Sequence, residues 1–307
     1  MKKILFLLSA VIILSACGLS KKSEKSTLRI GVMSSMDFLP ISIAQKMGFF
    51  KEQGIDVEFK KFYSANDRDA AFQANAVDGC VIDYTGAVLQ YAGGIELKLT
   101  SACNSTFCIM TASDNINATT DLKGKKVAVS RNTVIDFCVD MALASSGLST
   151  DDVEKQEINK IPIRYEMMMN GKTDATALPD PFVSIAAKEG AKNLVCMSDL
   201  GYAVTGIIFA KKSIDDKKED IQAFYKAYNR AVDYLHEHSI QDIRDVLIND
   251  IGFPEHLADS VQLPCYTHAQ MPGEEDIRKV VEWLQSRQLI PADFDASNLS
   301  DNQFVVQ

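Results

Sequence analysis

The stretch GVMSSMDFLPISIAQKMGFFKEQGIDVEF, Gly31 to Phe59, decides how the chain is built. It reads as a strand, a loop, a helix and a second strand. Leu28 to Met33 is a short apolar strand that gives way at once to Ser34-Ser35-Met36-Asp37, a cluster of small polar groups. Pro40 then stands where a helix begins, because its fixed φ suits the first turn and its missing N–H is not needed there. The helix runs to Met47, and Gly48 stops it. Ile55, Val57 and Phe59 alternate with Asp56, Glu58 and Lys60, the period of a strand with one wet face. Small polar groups between a strand end and a helix start suit the holding of a small molecule.

The same alternation continues outward. A helix is expected near Asp67 to Ala76, a strand at Gly79 to Ile82, a helix start at Thr85 and a strand at Glu96 to Thr100. A second block opens with the polar turn Asp121 to Lys126, then the strand Val127-Ala128-Val129. Ser130-Arg131-Asn132-Thr133 leads from that strand into a helix, Val134 to Ala144, which Gly147 ends. A helix at Tyr165 to Met169 precedes a strand at Ala175 to Leu178. After Ile207-Ile208-Phe209 the pattern turns helical: Ile221 to His236, Ile240 to Ile248, and Glu274 to Gln288. Strands alternating with helices predict a mainly parallel α/β sheet.

There is also an internal echo. Asn75 to Thr85 (NAVDGCVIDYT) resembles Asn170 to Pro181 (NGKTDATALPDP): a helix end, a turn with Asp, an apolar strand, then Asp beside a new helix start. One such unit per block predicts two similar lobes. Ligands of open α/β sheets sit off the carboxyl ends of the strands, so two lobes facing each other this way make a cleft.

Composition narrows the class. The 307 residues are 47% hydrophobic and 24% charged, with a net charge of −9. The pI is about 5.0 and the mean hydropathy −0.03, as for a soluble globular protein. No basic run or aromatic signature of nucleic-acid binding occurs, so nucleic acid is not expected as a partner.

The first residues have the layout of a leader. Lys2 and Lys3 precede the apolar run Ile4 to Leu14, which is too short to span a membrane, and Ser15-Ala16-Cys17-Gly18 follows. LSAC-Gly is similar to a bacterial lipobox, in which the cysteine is lipidated and becomes the mature N-terminus. The alternative is a chance cysteine near an ordinary cleavage site. Residues 1–16 are thus expected to be a signal peptide and Cys17 the lipid-bearing residue, with residues 17–26 a polar tether. Loss of Lys2 and Lys3 with the leader takes the charge from −9 to −11. The expected location is the extracytoplasmic side of a cell membrane, held by lipid.

Six cysteines remain: Cys80, Cys103, Cys108, Cys138, Cys196 and Cys265. Most lie in apolar patterns and read as buried free thiols, with a bridge between Cys103 and Cys108 on adjacent strands as the alternative. No zinc set is apparent, since His236 and His238 are two apart on a helix and face different ways. Met167-Met168-Met169 points in three directions, which favours core packing over copper binding. Neither a metal nor a cofactor is expected.

From about Thr27 onward the chain resembles the solute-binding proteins of ABC importers of the nitrate/sulfonate/taurine type, which include thiamine-pyrimidine binders. The residues that carry the resemblance are Phe38 to Phe50, Gly54-Ile55-Asp56-Val57, Asn75 to Asp83, Leu122 to Val129, and Asn170 to Pro181. The resemblance implies a type II periplasmic-binding-protein fold, two α/β lobes joined by a two-segment hinge and closing on a small solute. The crossings are expected near Met110 to Asn117 and Thr205 to Ala210. Lobe 1 is then 27–112 with 208–307, and lobe 2 is 113–207. The implied partners are the solute and the permease and ATPase subunits of an importer. Where this chain has Ser130 to Thr133, the family often has a Gly-Ser or Gly-Thr turn, so the substrate does not carry over.

Placed by this resemblance, the ligand residues of the first lobe are Ser34, Ser35, Met36, Asp37, Asp83, Tyr84 and Thr85. Those of the second are Ser130, Arg131, Asn132, Thr133, Asp180, Pro181 and Phe182. Hydroxyls and helix N-termini suit a polar head group, and Tyr84 or Phe182 suits a flat ring. Asp37, Ser130 and Asp180 are equally placed to cap helices. Arg131 offers a bidentate fork to an anion, or is a solvated surface residue. The aspartates favour a cationic or amine-bearing solute, so the sign of the ligand stays open. An enzyme of the same fold acting on a small carboxylate is the alternative, and paired Asp residues suit acid–base work. No Ser-His-Asp or phosphate-loop signature supports it. A surface adhesion or scaffold protein lacks the repeats expected of it.

Overall fold

Strand β1 (Thr27–Met33) buries Leu28, Ile30 and Val32 on one face, while the other carries Arg29, which pairs with Asp78. The computed structural model describes residues 27–305, so the leader, Cys17 and the tether lie outside the described residues. After β1 come α1 (Leu39–Lys46), α2 (Phe49–Glu52), β2 (Asp56–Phe62), α3 (Ala65–Gln73), β3 (Gly79–Asp83), α4 (Tyr84–Ala92) and β4 (Leu97–Ala102). The second block holds β5 (Phe107–Thr111), β6 (Lys126–Val129), α5 (Val134–Ser145), β7 (Glu154–Glu157), α6 (Ile161–Met169), β8 (Ala175–Pro179), α7 (Phe182–Lys188) and β9 (Lys192–Cys196). The chain then returns through β10 (Thr205–Ala210) to α8 (Lys211–Asp216), α9 (Lys218–Glu237), α10 (Ile240–Val246) and α11 (Glu274–Ser286).

These strands form two five-stranded sheets on one plan, ordered β2-β1-β3-β10-β4 and β7-β6-β8-β5-β9. In each, three parallel strands are followed by one antiparallel strand that the chain supplies immediately after leaving the other sheet. The two units of the sequence echo are β3 and β8, the central strand of each sheet. This is the type II periplasmic-binding-protein fold, and its two lobes account for the repeated strand–turn–helix pattern.

The crossings fall elsewhere than expected. β5 pairs with β8 and β9, so the chain has left the first sheet by 103–106, ahead of Met110 to Asn117. It returns within 197–204, since Thr205 already pairs with Asp83. β5 and β10 each read in sequence as one more apolar run. Which sheet they enter depends on partners far away in the chain.

The cysteine expectation is also corrected. Cys108 is bonded to Cys196, 88 residues on, because β5 and β9 are antiparallel neighbours that set these two residues opposite each other. Cys103 lies in the crossing segment, buried and free, as are Cys80 and Cys138.

Helix α9 buries Ile221, Phe224, Tyr225, Tyr228, Ala231, Val232 and Leu235, a stripe at helical spacing that packs on α1 and covers the first sheet. A second apolar cluster is shared by both lobes. It runs from Val88 of α4 through Phe137 of α5 to Trp283 of α11. α11 therefore bridges to the second lobe: the Phe137 and Trp283 rings meet edge to face, centroids 5.5 Å apart. Trp283 is thus at an inter-lobe contact. A third cluster packs Met168 and Tyr165 of α6 against β5, β8 and α7, so the central methionine of the triplet is core.

Candidate functional site

Between the lobes lies a cavity with about 480 Å³ of empty space, solvent at its mouth included. Its walls are the carboxyl ends of the parallel strands in both sheets and the loops that follow them. The first lobe contributes Met33, Ser35 and Asp37 after β1, Arg68 of α3, and Ile82 and Asp83 of β3. The second contributes Ser130, Thr133 and Val134 at the start of α5, Asn159, Ile161 and Arg164 around the start of α6, and Pro179 of β8. The lobes touch beside it, where the Ile161 N–H donates to the Tyr63 carbonyl at 3.3 Å.

Local sequence explains each position. Asp83 ends β3 and caps α4, accepting from Gly86 N at 2.8 Å and from the Thr85 hydroxyl. Its other oxygen accepts from Arg68 Nη2 at 2.8 Å. Burial works to raise the Asp83 carboxyl, but the Arg68 charge and these hydrogen bonds outweigh it and hold the group below its ordinary range. Arg68 is shared with Asp69, whose Oδ1 accepts from Nε at 2.8 Å. Asp37 is different. Its carboxylate accepts from Ser35 Oγ at 2.6 Å, and burial pushes its pKa up to about 6 despite the help of Ser35, Arg68 and Thr205.

The second-lobe wall has its own pins. Thr133 caps α5 through Ile135 N and donates to the Ser130 carbonyl at 2.8 Å, while Ser130 Oγ donates to Asn159 Oδ1 at 3.0 Å. Arg164 is 1% exposed. Its Nη1 donates to the carbonyls of Ile158 and Asn159 at 2.9 and 3.1 Å. Its Nε and Nη2 are buried without a partner. Burial alone lowers its pKa to about 9, so it stays charged at neutral pH.

Of the residues expected at the site, the structure brings Ser35, Asp37, Asp83, Ser130 and Thr133 to this cavity. Ser34 and Met36 flank the loop; Met36 is core, and its carbonyl accepts from Tyr266 Oη at 2.8 Å. Thr85 supports Asp83 from behind. Tyr84 is fully buried under β10, so close that a Cβ on Gly206 would stand 3.1 Å from its ring. Asn132 takes a left-handed conformation (φ 60°) and its N–H donates to Asp136 at 3.1 Å. Asp180 acts as a cap, accepting from Ser184 N and Oγ at 2.9 and 2.7 Å. Pro181 follows it, and Phe182 packs on Tyr165. Neither lines the cavity.

Arg131 is the main departure. Its side chain is 46% exposed, faces Glu157 at 3.4 Å and lies in surface grooves outside the cavity, because the Ser130–Thr133 loop turns it outward. Arg68, Asn159 and Arg164 were not anticipated. A signal for Arg164 existed: with Ile161, Tyr165 and Met168 it completes an i, i+3, i+4, i+7 stripe on α6, so a charge sits on the buried face.

Among the described residues no group of His, Cys, Asp and Glu side chains is arranged to hold a metal ion, and no helix is long and apolar enough to cross a membrane.

Residues 35–241 match the NMT1/THI5-like family model, which therefore spans both lobes and every cavity-lining loop. The chain belongs to the NMT1/THI5-like family. A Haemophilus influenzae protein named for thiamine biosynthesis is 26% identical over 87% of this chain and 88% of its own length. The periplasmic aliphatic sulphonate-binding protein SsuA of Escherichia coli superposes with a TM-score of 0.74 over 87% of this chain and 94% of its own, at 19% identity. The desulfurization enzyme DSZB superposes with a TM-score of 0.68 over 92% of this chain and 98% of its own, at 13% identity. This chain thus shares its fold with a sulphonate-binding protein and with an enzyme.

Proposed function

We propose that this NMT1/THI5-like protein is the extracytoplasmic solute-binding component of an ABC importer. It captures a small organic solute between its lobes and passes it to a permease driven by an ATPase. The observation that carries this is a cavity walled by both lobes at the carboxyl ends of their strands, lined by helix N-termini and buried polar side chains. A hinge of two short crossing segments suits closure by rotation, and the Tyr63–Ile161 contact is what a closed cleft makes. Sulfonate, nitrate, taurine and pyrimidine-like solutes are the classes in view.

The ligand residues on this proposal are Ser35, Asp37, Asp83, Ser130 and Thr133, joined by Arg68, Asn159 and Arg164. Cys17 carries the lipid that holds the body at the membrane, through a tether at 17–26. Replacement Cys17→Ala should free the body from membranes, and unchanged attachment would contradict the anchor.

The function itself is tested by small-angle scattering and mass spectrometry on the purified body with a metabolite extract. A smaller radius of gyration, with the bound compound recovered unchanged, is the expected result. Recovery of a converted product would make the protein an enzyme instead.

A further inference from the structure

Arg164 has features that a structural arginine lacks. It is almost wholly buried, it lines the cavity, and no carboxylate pairs with it. Two of its nitrogens, Nε and Nη2, have no partner, while Nη1 is held by two carbonyls that fix the guanidinium in place. Nε and Nη2 form one edge of the planar fork, the edge that receives two oxygens of a carboxylate or sulfonate side by side. A buried, uncompensated cation is costly and persists where something else neutralises it. The other buried cation of the cavity, Arg68, is already engaged by Asp69 and Asp83.

The first-lobe wall is of opposite character. Asp37 and Asp83 face the same space, and neither is bonded to Arg164. A second negative charge on a solute held by Arg164 would meet these carboxylates. A hydroxyl or amine there would find an acceptor in Asp37, a carboxylate of the cavity wall that Ser35 Oγ engages through one oxygen.

We propose that Arg164 grips the anionic group of the solute, and that the solute is a small monoanion, a carboxylate or sulfonate, carrying a hydroxyl or amine that meets Asp37. This rests on the cavity being the solute site. It selects against neutral solutes and dianions.

The test uses calorimetric titration of the purified body with acetate, glycolate, methanesulfonate, malonate and acetamide, on the wild type and on Arg164→Gln, Arg164→Lys and Asp37→Asn. Acetate and methanesulfonate should bind, acetamide and malonate should bind at least tenfold more weakly, and glycolate should exceed acetate. Arg164→Gln should lose about 10- to 150-fold in affinity for the monoanions, the worth of a charge-assisted hydrogen bond. Arg164→Lys should recover only part of that loss. Asp37→Asn should reduce the preference for glycolate over acetate.

Thermal melts without probe supply the control. Arg164→Gln should melt at or above the wild-type temperature, since an unpaired buried charge is removed. A large drop would assign Arg164 to holding the 158–160 loop and overturn the proposal. So would wild-type affinity in Arg164→Gln, preference for acetamide or malonate, or failure of every monoanion to bind. If a neutral compound compacts the wild type while the monoanions do nothing, this inference falls and the solute-binding role stands.

Discussion

Two buried sets of charges in the second lobe use similar side chains and treat them in opposite ways. On the outer side of α5, Asp136 and Asp140 are both gripped by Lys155 and by Arg287, with Asp136 at 2.6 Å from Lys155 Nζ and 2.7 Å from Arg287 Nη1. Trp283 Nε1 donates at 2.9 Å to Asp140 Oδ2, the oxygen that also accepts from Arg287, and the Arg287 guanidinium lies over the indole. At the start of α6, Arg164 is buried as deeply with no counter-charge. The first set has its partners within the fold, two of them from the C-terminal segment, so it fastens that segment to the second lobe. The second set leaves two donors without a partner on a residue that lines the cavity. Burial alone therefore does not mark a binding residue; at Arg164 burial comes with bonds left over and a place in the cavity wall.

The largest effect should come from breaking the paired set. Asp136 is fully buried and accepts from Lys155, Arg287 and the Asn132 N–H. Asp136→Ala leaves Lys155 and Arg287 to share Asp140 alone, and removing one member of a buried ion-pair set costs up to about 3–5 kcal/mol. Urea unfolding should show that loss, and a cost below about 1 kcal/mol would mean that the cluster does not fasten the lobes.

An intermediate effect belongs to Asp37 and depends on pH. Its carboxyl titrates at about 6 in the folded chain against an ordinary 3.8, with burial the main cause. The folded state thus binds more protons than the unfolded one between these values. Stability from this group is full below about pH 4 and is lost as pH rises through about 6, up to roughly 3 kcal/mol at pH 7. Asp69, also raised to about 6, adds to the same slope, so the test is the difference between wild type and Asp37→Asn across pH 4 to 7. Asp83 has the opposite sign, its stabilisation being present above the ordinary carboxylate range and lost as pH falls through its depressed pKa. Identical slopes in wild type and Asp37→Asn would show that Asp37 is solvated.

The smallest effect is predicted at Arg131. It is half exposed and its pairing with Glu157 is a surface contact, so Arg131→Ala should change stability by about 0.5 kcal/mol or less and leave solute affinity alone. A tenfold loss of affinity would return this residue to the site.

What the sequence made legible follows the range of the interactions. Gly31 to Phe59 became β1, α1, α2 and β2, and the echo at Asn75 and Asn170 became the two central strands, because these depend on local periodicity and turn chemistry. β7, the polar run Glu154–Glu157, has no apolar alternation and is a strand only because it can pair along β6. The Cys108–Cys196 bond and the position of the crossings required knowing which sheet β5 joins. At the site, the loops after β1, β3 and β6 were expected and do converge. Arg164 was passed over because it sits inside a helix rather than at a strand end, and Arg131 was favoured for its loop position although the loop turns it to solvent.

The most direct test of this contrast is one paired measurement on Arg164→Gln and Asp136→Asn: calorimetric affinity for glycolate beside urea unfolding without it. The account predicts a crossed result, in which Arg164→Gln loses affinity and keeps its stability while Asp136→Asn loses stability and, where folded, keeps its affinity. Loss of stability in Arg164→Gln with affinity unchanged would contradict it.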